Sequence, residues 1–286
     1  MRYESPQSVD DAIGLLANGG AGARVMAGGT DLLVQLRSGM LEPELVVDIK
    51  QIEETRVITE ESGGFRVGAA VAGAELNEHP RLPKIWPGVA EAFDLIGSVQ
   101  IQGRATMGGN LCNASPAADS VPGMIAAGAI ATVAGPKGRR ELPVEDVCTG
   151  PGRTSLGSGE FIVSFFLPER PARSGDAYLR FIPRTEMDIA VVGAGVSLTL
   201  DESGVVAAAR VALGAVAPTA MLVQDCSSAL VGTSLDDVAL QALSAAASAA
   251  CNPINDKRGT IEYRTKVAGV IAQRTAKIAY SRAKGE

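Results

Sequence analysis

The chain has 286 residues, of which 46% are hydrophobic and 20% are charged, and its formal net charge is −6. This composition predicts a globular protein with enough apolar residues for a core. The negative charge argues against nucleic acid or an anionic membrane as a partner. No apolar stretch is long enough to cross a bilayer, and Met1–Asp10 lacks a signal pattern, so a cytoplasmic location is expected.

The cysteines and the single histidine argue against several kinds of site. Cys112, Cys148, Cys226 and Cys251 lie too far apart in sequence for a CxxC metal or redox pair. We therefore expect no iron–sulfur cluster and no other metal site in this chain. His79 lies in a loop-like stretch, where a solvated role is expected, and one histidine makes a Ser-His-Asp triad improbable.

The first 55 residues predict a small parallel α/β unit. Ser8–Asn18 has the pattern of an amphipathic helix that Ser8 caps. Short apolar strands are predicted at Ala23–Ala27 and Leu45–Ile49, and a second helix is predicted from Thr30 to Arg37 between them.

The middle of the chain predicts an α+β arrangement. Thr55–Gly73 has the pattern of a hairpin, and Leu82–Ile96 that of one helix. Gly97–Ser120 is rich in Gly and other small residues, and within it Thr106–Ser120 is expected to be an ordered loop. Further strands are predicted at 129–134, 139–142 and 161–167.

A boundary is predicted near residue 170, where the sequence is rich in Pro, Arg and Gly. The residues beyond it predict a sheet followed by helices. The strands are predicted at 177–184, 190–200 and 205–213, and the helices at 235–250 and 263–283.

The first candidate motif is the segment from Ala27 to Leu32, with the sequence AGGTDL, between a predicted strand and a predicted helix. Paired glycines let backbone N–H groups approach an anion, and a helix N-terminus favours the same ligand. The alternative is an ordinary helix cap. Spacing alone favours the cap, because the segment is neither G-x-G-x-x-G nor a P-loop.

The second candidate motif is Thr106–Ser120, which is dense in hydroxyl and amide side chains and almost uncharged. Such groups need polar partners when they are ordered, and a bound nucleotide would supply them. The alternative is a compact Ω-loop that hydrogen-bonds to itself.

Taken together, AGGTDLL and ATMGGNLCNASPAADS resemble the two FAD-binding signatures of the molybdenum hydroxylase flavoprotein family. Members include the medium subunit of carbon monoxide dehydrogenase and the FAD domain of xanthine dehydrogenase. The second signature is highly specific, whereas the first is weak alone. The resemblance covers essentially the whole chain in order. It continues through Gly159–Ser164, Met187–Val192, Leu213–Thr219 and Asp256–Arg264.

The resemblance implies an α+β fold in which two subdomains of the vanillyl-alcohol oxidase type clasp FAD, followed by a small C-terminal α/β flavoprotein domain. The implied boundaries are 1–55 for the N-terminal subdomain, 56–172 for the middle subdomain and 173–286 for the C-terminal domain.

The same resemblance implies which residues bind FAD. The first signature and the start of the second would hold the pyrophosphate, with Ser115 nearby. Asp119 would bind the adenosine part or its phosphates, Ile162 would line the adenine pocket and Ile101 would lie near the flavin ring. The full implied set is Ala27, Gly28, Gly29, Thr30, Asp31, Leu32, Ile101, Thr106, Gly108, Gly109, Asn110, Ser115, Asp119, Ile162 and Arg180.

The sequence departs from the family pattern at two places. Gln102-Gly103 stands where the family often has Arg-Asn, and Arg180 stands where it often has Lys. Replacing Lys by Arg keeps the charge and changes the hydrogen-bonding geometry. FAD binding is expected to survive both changes. No Cys-rich insertion is present, which separates the chain from the 4-hydroxybenzoyl-CoA reductase branch.

The implied function is that of an electron-transfer subunit. Partner subunits would hold the molybdopterin cofactor, in a large subunit, and [2Fe–2S] clusters, in a small subunit, within a dimer of heterotrimers. FAD would pass electrons on to NAD, a quinone or another acceptor. Because the chemistry belongs to the flavin, no catalytic residue is expected in this chain.

Two other functions remain open at this point. A self-sufficient flavin oxidase of the same superfamily would need a substrate pocket and often a covalent His or Cys link, and neither signature contains a His. The other alternative is a non-enzymatic nucleotide-binding or assembly module.

A few conspicuous residues are expected to be structural. Cys112 is interpreted as a small buried filler, Asp188 as part of a salt bridge and Trp86 as core or interface. A polar contact network is predicted among Asp256, Arg258 and Arg264.

Overall fold

The computed structural model describes residues 1–184 and 186–286. Its first part is a three-stranded parallel sheet with strand order β1-β3-β2, which confirms the predicted parallel α/β unit. Ser8 caps the first helix by accepting a hydrogen bond from the Asp11 N–H at 3.1 Å. The elements are β1 (Arg2–Glu4), α1 (Val9–Gly19), β2 (Ala23–Met26), α2 (Leu32–Arg37) and β3 (Leu45–Asp48).

Strand β1 was not predicted, because it is only three residues long and is largely exposed. Helix α2 begins at Leu32, two residues later than predicted.

The middle part is built on a five-stranded antiparallel sheet with order β4-β5-β10-β6-β7, which includes the predicted hairpin. Its strands are β4 (Ile58–Glu61), β5 (Gly64–Gly68), β6 (Ile130–Gly135), β7 (Gly138–Pro143) and β10 (Phe161–Pro168), with β8 (Cys148–Gly150) and β9 (Arg153–Thr154) forming a separate pair. Its helices are α3 (Gly73–Glu78), α4 (Leu82–Ile85), α5 (Pro87–Asp94), α6 (Val99–Gln102), α7 (Met107–Cys112) and α8 (Ser120–Ala126).

The single helix predicted over Leu82–Ile96 is wrong, because the chain forms α4 and α5 with a break at Trp86. Pro87 starts α5. A proline has no N–H to donate and disfavours helical geometry in the residue before it. Trp86 is buried, as predicted, and its indole Nε1–H donates to the carbonyl oxygen of Pro168 at 2.9 Å.

The long loop predicted over Thr106–Ser120 is also wrong, because this segment contains α7 and ends where α8 begins. The small-residue stretch before it contains α6. Thr106 caps α7 through its hydroxyl, which accepts the Gly109 N–H at 3.0 Å. Gly108 packs so closely on Ala69 that an added Cβ would lie 2.7 Å from the Ala69 carbonyl oxygen. Capping and tertiary packing here outweigh the low helix propensity of glycine.

The C-terminal part is a four-stranded antiparallel sheet with order β11-β12-β13-β14, covered by helices. It has its own core, which includes Val196, Leu213, Leu243 and Ile271. Its elements are β11 (Ser174–Phe181), β12 (Val192–Leu200), β13 (Val206–Gly214), β14 (Met221–Leu222), α9 (Gln224–Leu230), α10 (Asp237–Ala249) and α11 (Ile261–Lys284).

The predicted strands and the two long helices of this part are confirmed, whereas β14 and α9 were not predicted. Within the described residues, no helix has the length and apolar character needed to span a membrane.

Candidate functional site

A cavity of about 440 Å³ lies between the parallel sheet and the middle part of the chain. We call it the cleft and define it by residues 24–32, Thr106, Gly108, Gly109 and 160–162, all of which line it. Its volume falls within the range of about 300–1,000 Å³ that is usual for small-molecule sites. The two segments singled out in the sequence thus face the same space from opposite sides.

The first wall offers unpaired backbone donors. Among the residues that the structure describes, none accepts a hydrogen bond from the N–H groups of Gly29, Thr30, Asp31 or Leu32. Gly29 has φ +79°, a left-handed conformation that favours glycine and allows the turn. Consecutive free N–H groups in a concavity are suited to an anion such as a phosphate.

Gly28 has a different role in the same wall. A Cβ built there would lie 1.7 Å from the Arg104 carbonyl oxygen. The backbone of the first part therefore touches that of the middle part at this point, and any side chain would separate the two.

The opposite wall contains two glycines with unequal surroundings. The N–H of Gly108 donates to the Ala69 carbonyl oxygen at 3.1 Å, so this residue is packed against protein. A Cβ at Gly109 would meet only the Thr106 hydroxyl oxygen, at 3.0 Å. The protein itself thus leaves space at Gly109, on the side of the cleft.

The charged side chains of the cleft lining are Asp31, Glu160 and Arg24. Burial raises the pKa of Asp31 above its ordinary value. Glu160 is paired with Arg140 at 2.8 Å, and the hydrogen bond from that arginine holds the pKa of Glu160 below its ordinary value. Arg24 donates to the carbonyl oxygens of Ala21 and Ala23. Carbonyl oxygens do not cancel the charge of the guanidinium, so Arg24 and the backbone donors both favour an anion in the cleft.

The cleft ends at strand β10, where Phe161 and Ile162 are buried. The pairing of β10 with β6 is irregular between Ile162 and Ser164. Ile162 is a buried, apolar residue of the cleft lining, and such a residue is suited to contact with an aromatic ring.

Ten of the fifteen residues that the sequence singled out line the cleft. Five lie outside its lining: Ile101, Asn110, Ser115, Asp119 and Arg180. The ten that line it are Ala27, Gly28, Gly29, Thr30, Asp31, Leu32, Thr106, Gly108, Gly109 and Ile162.

Two of the five outer residues are engaged locally. The Asn110 side-chain oxygen accepts the Ser120 hydroxyl at 2.6 Å and thereby ties α7 to α8. The Ser115 hydroxyl oxygen accepts the Ala117 N–H at 3.3 Å. Ile101 is part of α6, next to the turn at Gly97.

Asp119 and Arg180 meet in a buried group that also contains Tyr178. We call these three residues the boundary cluster, because they join the middle part to β11. The Asp119 carboxylate accepts the Tyr178 hydroxyl at 2.8 Å and an Arg180 N–H at 2.6 Å. Burial raises the pKa of Asp119 to about 6, against the opposing effects of both partners. Arg180 Nε is buried with no hydrogen-bond partner among the described residues.

Sequence reasoning missed Tyr178 and several cleft residues. Tyr178 lies 59 positions from Asp119, and no local pattern indicates the contact. Gln35 donates to the Asn113 side-chain oxygen at 3.1 Å, which links α2 to the end of α7 beside the cleft. The sequence could have indicated Gln35, because it follows Leu32 by three residues and therefore lies on the same face of the helix as this lining residue. Other missed lining residues are Met26, Met40, Leu41, Ile49, Ala69, Gly152 and Leu156.

Cys112 is half-buried in the cleft wall. Burial raises the pKa of its thiol to about 12, so the thiol stays protonated near neutral pH. A protonated thiol is a poor nucleophile, which agrees with a structural rather than a covalent role.

The salt bridges expected from the sequence are present. Asp188 pairs with Arg184 at 3.3 Å and with Arg258 at 3.0 Å. Arg264 pairs with Asp256 at 2.7 Å, which completes the predicted network.

His79 is not simply solvated, as was expected. It is half-buried, and its Nδ1 accepts the N–H groups of Arg81 and Leu82 at 3.3 and 3.1 Å, so it caps the start of α4. Within the described ranges no group of three His, Cys, Asp or Glu side chains could hold a metal.

Comparison with known proteins agrees with this geometry. Residues 1–170 match the model of the FAD binding domain in molybdopterin dehydrogenase, and residues 177–279 match the CO dehydrogenase flavoprotein C-terminal domain. The chain is 34% identical to the carbon monoxide dehydrogenase medium chain of Hydrogenophaga pseudoflava, over 98% of this chain and 97% of that one. It is 31% identical to a xanthine dehydrogenase FAD-binding subunit of Escherichia coli, over 99% and 97%.

Solved structures give the same result. Carbon monoxide dehydrogenase from Hydrogenophaga pseudoflava, in a form that lacks the Mo-pyranopterin moiety, matches with a TM-score of 0.95 at 34% identity, over 99% of this chain and 98% of that one. Quinoline 2-oxidoreductase from Pseudomonas putida matches with a TM-score of 0.91 at 28% identity, over 99% and 98%. The chain therefore belongs to the family of FAD-binding medium subunits of molybdenum hydroxylases, and it is an oxidoreductase subunit with an FAD-binding domain and a flavoprotein C-terminal domain.

Proposed function

We propose that this chain holds one FAD in the cleft and transfers electrons through it from partner subunits to an external acceptor. The observation that carries the proposal is the run of unpaired N–H groups from Gly29 to Leu32, opposite the open space at Gly109. Free backbone donors, opposite a glycine whose missing side chain leaves room, fit a pyrophosphate. FAD supplies the redox chemistry, and the chain binds, orients and shields it.

The residues divide by the part of FAD that each would contact. The first wall, together with Thr106, Gly108, Gly109 and Asn110, would hold the pyrophosphate, and Ile162 would contact the adenine. Ser115 would lie near the pyrophosphate, and Asp119 would bind the adenosine part or its phosphates. Ile101 would lie near the flavin ring, and Arg180 near the flavin or its phosphates. Support for a contact at Arg180 comes from its buried, unpartnered Nε, because a buried donor normally has an acceptor.

We further propose the division into 1–55, 56–172 and 173–286. It is supported by the sheets, since the parallel sheet ends at Asp48, the five-stranded sheet ends at Pro168 and the four-stranded sheet starts at Ser174.

The partners in this proposal are a molybdopterin-binding large subunit and a [2Fe–2S] small subunit, in a dimer of heterotrimers, with NAD or a quinone as acceptor. Relatives carry names such as medium chain and FAD-binding subunit, which imply companion chains. The proposal assigns no proton-transfer residue to this chain, and it retains the cytoplasmic location expected from the sequence.

The test is made on the purified full chain. It should be yellow, and acid precipitation should release all of the flavin, because Cys112 is a protonated thiol and no covalent link is expected. Alone it should not hydroxylate an organic substrate, whereas addition of the two partner chains should let a substrate bleach the flavin. A colourless chain that does not bind added FAD would contradict the proposal. Substrate turnover by the chain alone, free of molybdenum and iron, would instead indicate a self-sufficient oxidase.

A further inference from the structure

A polar group, formed by the largely buried pair of Asp48 and Lys50 and by the exposed Tyr3, lies directly behind the first wall of the cleft. The Lys50 ammonium donates to the Ala27 carbonyl oxygen at 2.8 Å and to the Asp48 carboxylate at 2.7 Å. The second oxygen of Asp48 accepts the Tyr3 hydroxyl at 2.5 Å. Asp48 is only 5% exposed, and the Lys50 side chain is 17% exposed. The group thus connects β1, the end of β3 and the residue that precedes Gly28.

The bond to Ala27 controls the first peptide of the wall. The carbonyl of Ala27 and the N–H of Gly28 belong to one rigid, planar peptide unit. Fixing the direction of the carbonyl therefore fixes the plane from which Gly28 and Gly29 continue. Gly29 is at φ +79°, and glycine by itself would allow this segment many other conformations.

The group is nearly neutral as a whole. Burial acts to raise the pKa of Asp48, but hydrogen bonds from Lys50 and Tyr3 outweigh it, so the pKa is lowered and the carboxylate stays ionised. An ionised Asp48 offsets the charge of Lys50. Lys50 therefore acts on an anion in the cleft mainly by holding the Ala27 carbonyl in place, and only weakly through its charge.

We propose that Lys50 is a positioning residue for the cofactor, which holds the Ala27–Gly28 peptide so that the N–H groups of Gly29 to Leu32 are arranged for the FAD pyrophosphate before it binds. Pre-arranged donors avoid the entropy cost of ordering the loop on binding. This inference rests on the proposed function, because it requires FAD in the cleft.

The test compares Lys50→Met with Tyr3→Phe in the full chain, stripped of flavin and titrated with FAD. Both variants remove a hydrogen bond to Asp48, but only Lys50 contacts Ala27. Lys50→Met is expected to weaken FAD binding about tenfold or more, because it removes a hydrogen bond from a charged group to the Ala27 carbonyl. FAD release is expected to become faster. Tyr3→Phe is expected to leave the affinity within about threefold of wild type.

A double variant separates the loss of the Ala27 contact from a general loss of stability. Lys50→Met combined with Asp48→Asn leaves no unpaired buried charge, and it should show the same loss of FAD affinity with less effect on the unfolding temperature of the flavin-free chain. If wild type and both Lys50 variants bind FAD with equal affinity, the role of Lys50 is overturned but the proposed function is not. Equal losses in Lys50→Met and Tyr3→Phe would also overturn it, because they would indicate a general loss of stability. Failure of the wild type to bind FAD would overturn the proposed function as well.

Discussion

The cleft and the boundary cluster both join parts of the chain that are distant in sequence, but they do so in opposite ways. The cleft presents glycines and backbone N–H groups that have no partner among the described residues. In the boundary cluster, the Asp119 carboxylate accepts hydrogen bonds from both Tyr178 and Arg180, and only the Arg180 Nε lacks a partner among the described residues. A site that must accept a ligand leaves donors free, whereas a permanent contact pairs them, since buried polar groups left alone are costly. Substitutions in the two regions should therefore have different effects.

The largest loss of stability is expected at Gly28, where the backbone of the first part of the chain touches that of the middle part. Gly28→Ala would place a methyl group 1.7 Å from the Arg104 carbonyl oxygen, which only a backbone shift can relieve. We expect the variant to be largely insoluble or to unfold at much lower urea concentration, with no FAD bound. Gly14→Ala is the control, because nothing lies within 4 Å of its Cβ. A Gly28→Ala protein as stable as wild type would show that the two backbones do not meet as described.

The second prediction separates binding from stability. Gly109→Val adds a branched side chain where only the Thr106 hydroxyl is near, so it should change the free energy of unfolding of the flavin-free chain by no more than about 1 kcal/mol. The same side chain would occupy the space proposed for the pyrophosphate, and FAD binding should weaken at least about 100-fold, a loss of about 2.7 kcal/mol.

Gly109→Ala should give an intermediate loss of FAD affinity, measured by flavin fluorescence titration. If both variants bind FAD like wild type, the pyrophosphate does not lie against Gly109.

The third prediction concerns the boundary cluster, where stability should respond first. Asp119→Ala leaves the Arg180 guanidinium buried without its carboxylate, and such a loss typically costs about 3–5 kcal/mol. Urea unfolding of the flavin-free chain measures this loss in the free energy of unfolding. Asp119→Asn combined with Arg180→Met should recover much of the stability. A single variant within about 1 kcal/mol of wild type would mean that the pair contributes little.

The smallest effect is a dependence of stability on pH. Asp176 is buried beside Arg170 and accepts the Gly88 N–H at 2.7 Å, and burial raises its pKa to about 6. The folded state then holds this proton more tightly than the unfolded state, so the contribution of Asp176 to the free energy of unfolding falls as pH rises from about 4 to 6 and stays low above that.

Asp176→Asn removes this titration. The free energy of unfolding of wild type relative to the variant should therefore decrease between pH 4.5 and pH 7, by about 2 kcal/mol. Urea titrations at both pH values measure the difference. A difference that increases with pH would mean that Arg170 and Arg282 outweigh burial.

Secondary structure was predictable where the signal is local. Ser8 and Thr260 cap their helices, and the long helix α11 follows from periodicity alone. The prediction failed at Trp86, where one proline ends a helix inside an apolar run, and at Met107–Cys112, where helix formation depends on packing against Ala69. The proline is a local signal that hydrophobic periodicity does not measure, whereas packing against Ala69 depends on residues distant in sequence.

The sequence by itself determined the family, the two FAD signatures and ten residues of the cleft lining, because nine of those ten lie in two continuous segments that can be recognised without knowledge of their tertiary contacts. Only the tertiary structure decided which glycine is packed against protein and which faces open space. It also brought Tyr178 to Asp119 and Lys50 to Ala27. These contacts join residues 59 and 23 positions apart, and such pairings depend on how sheets and helices pack, which no local pattern of residue types records.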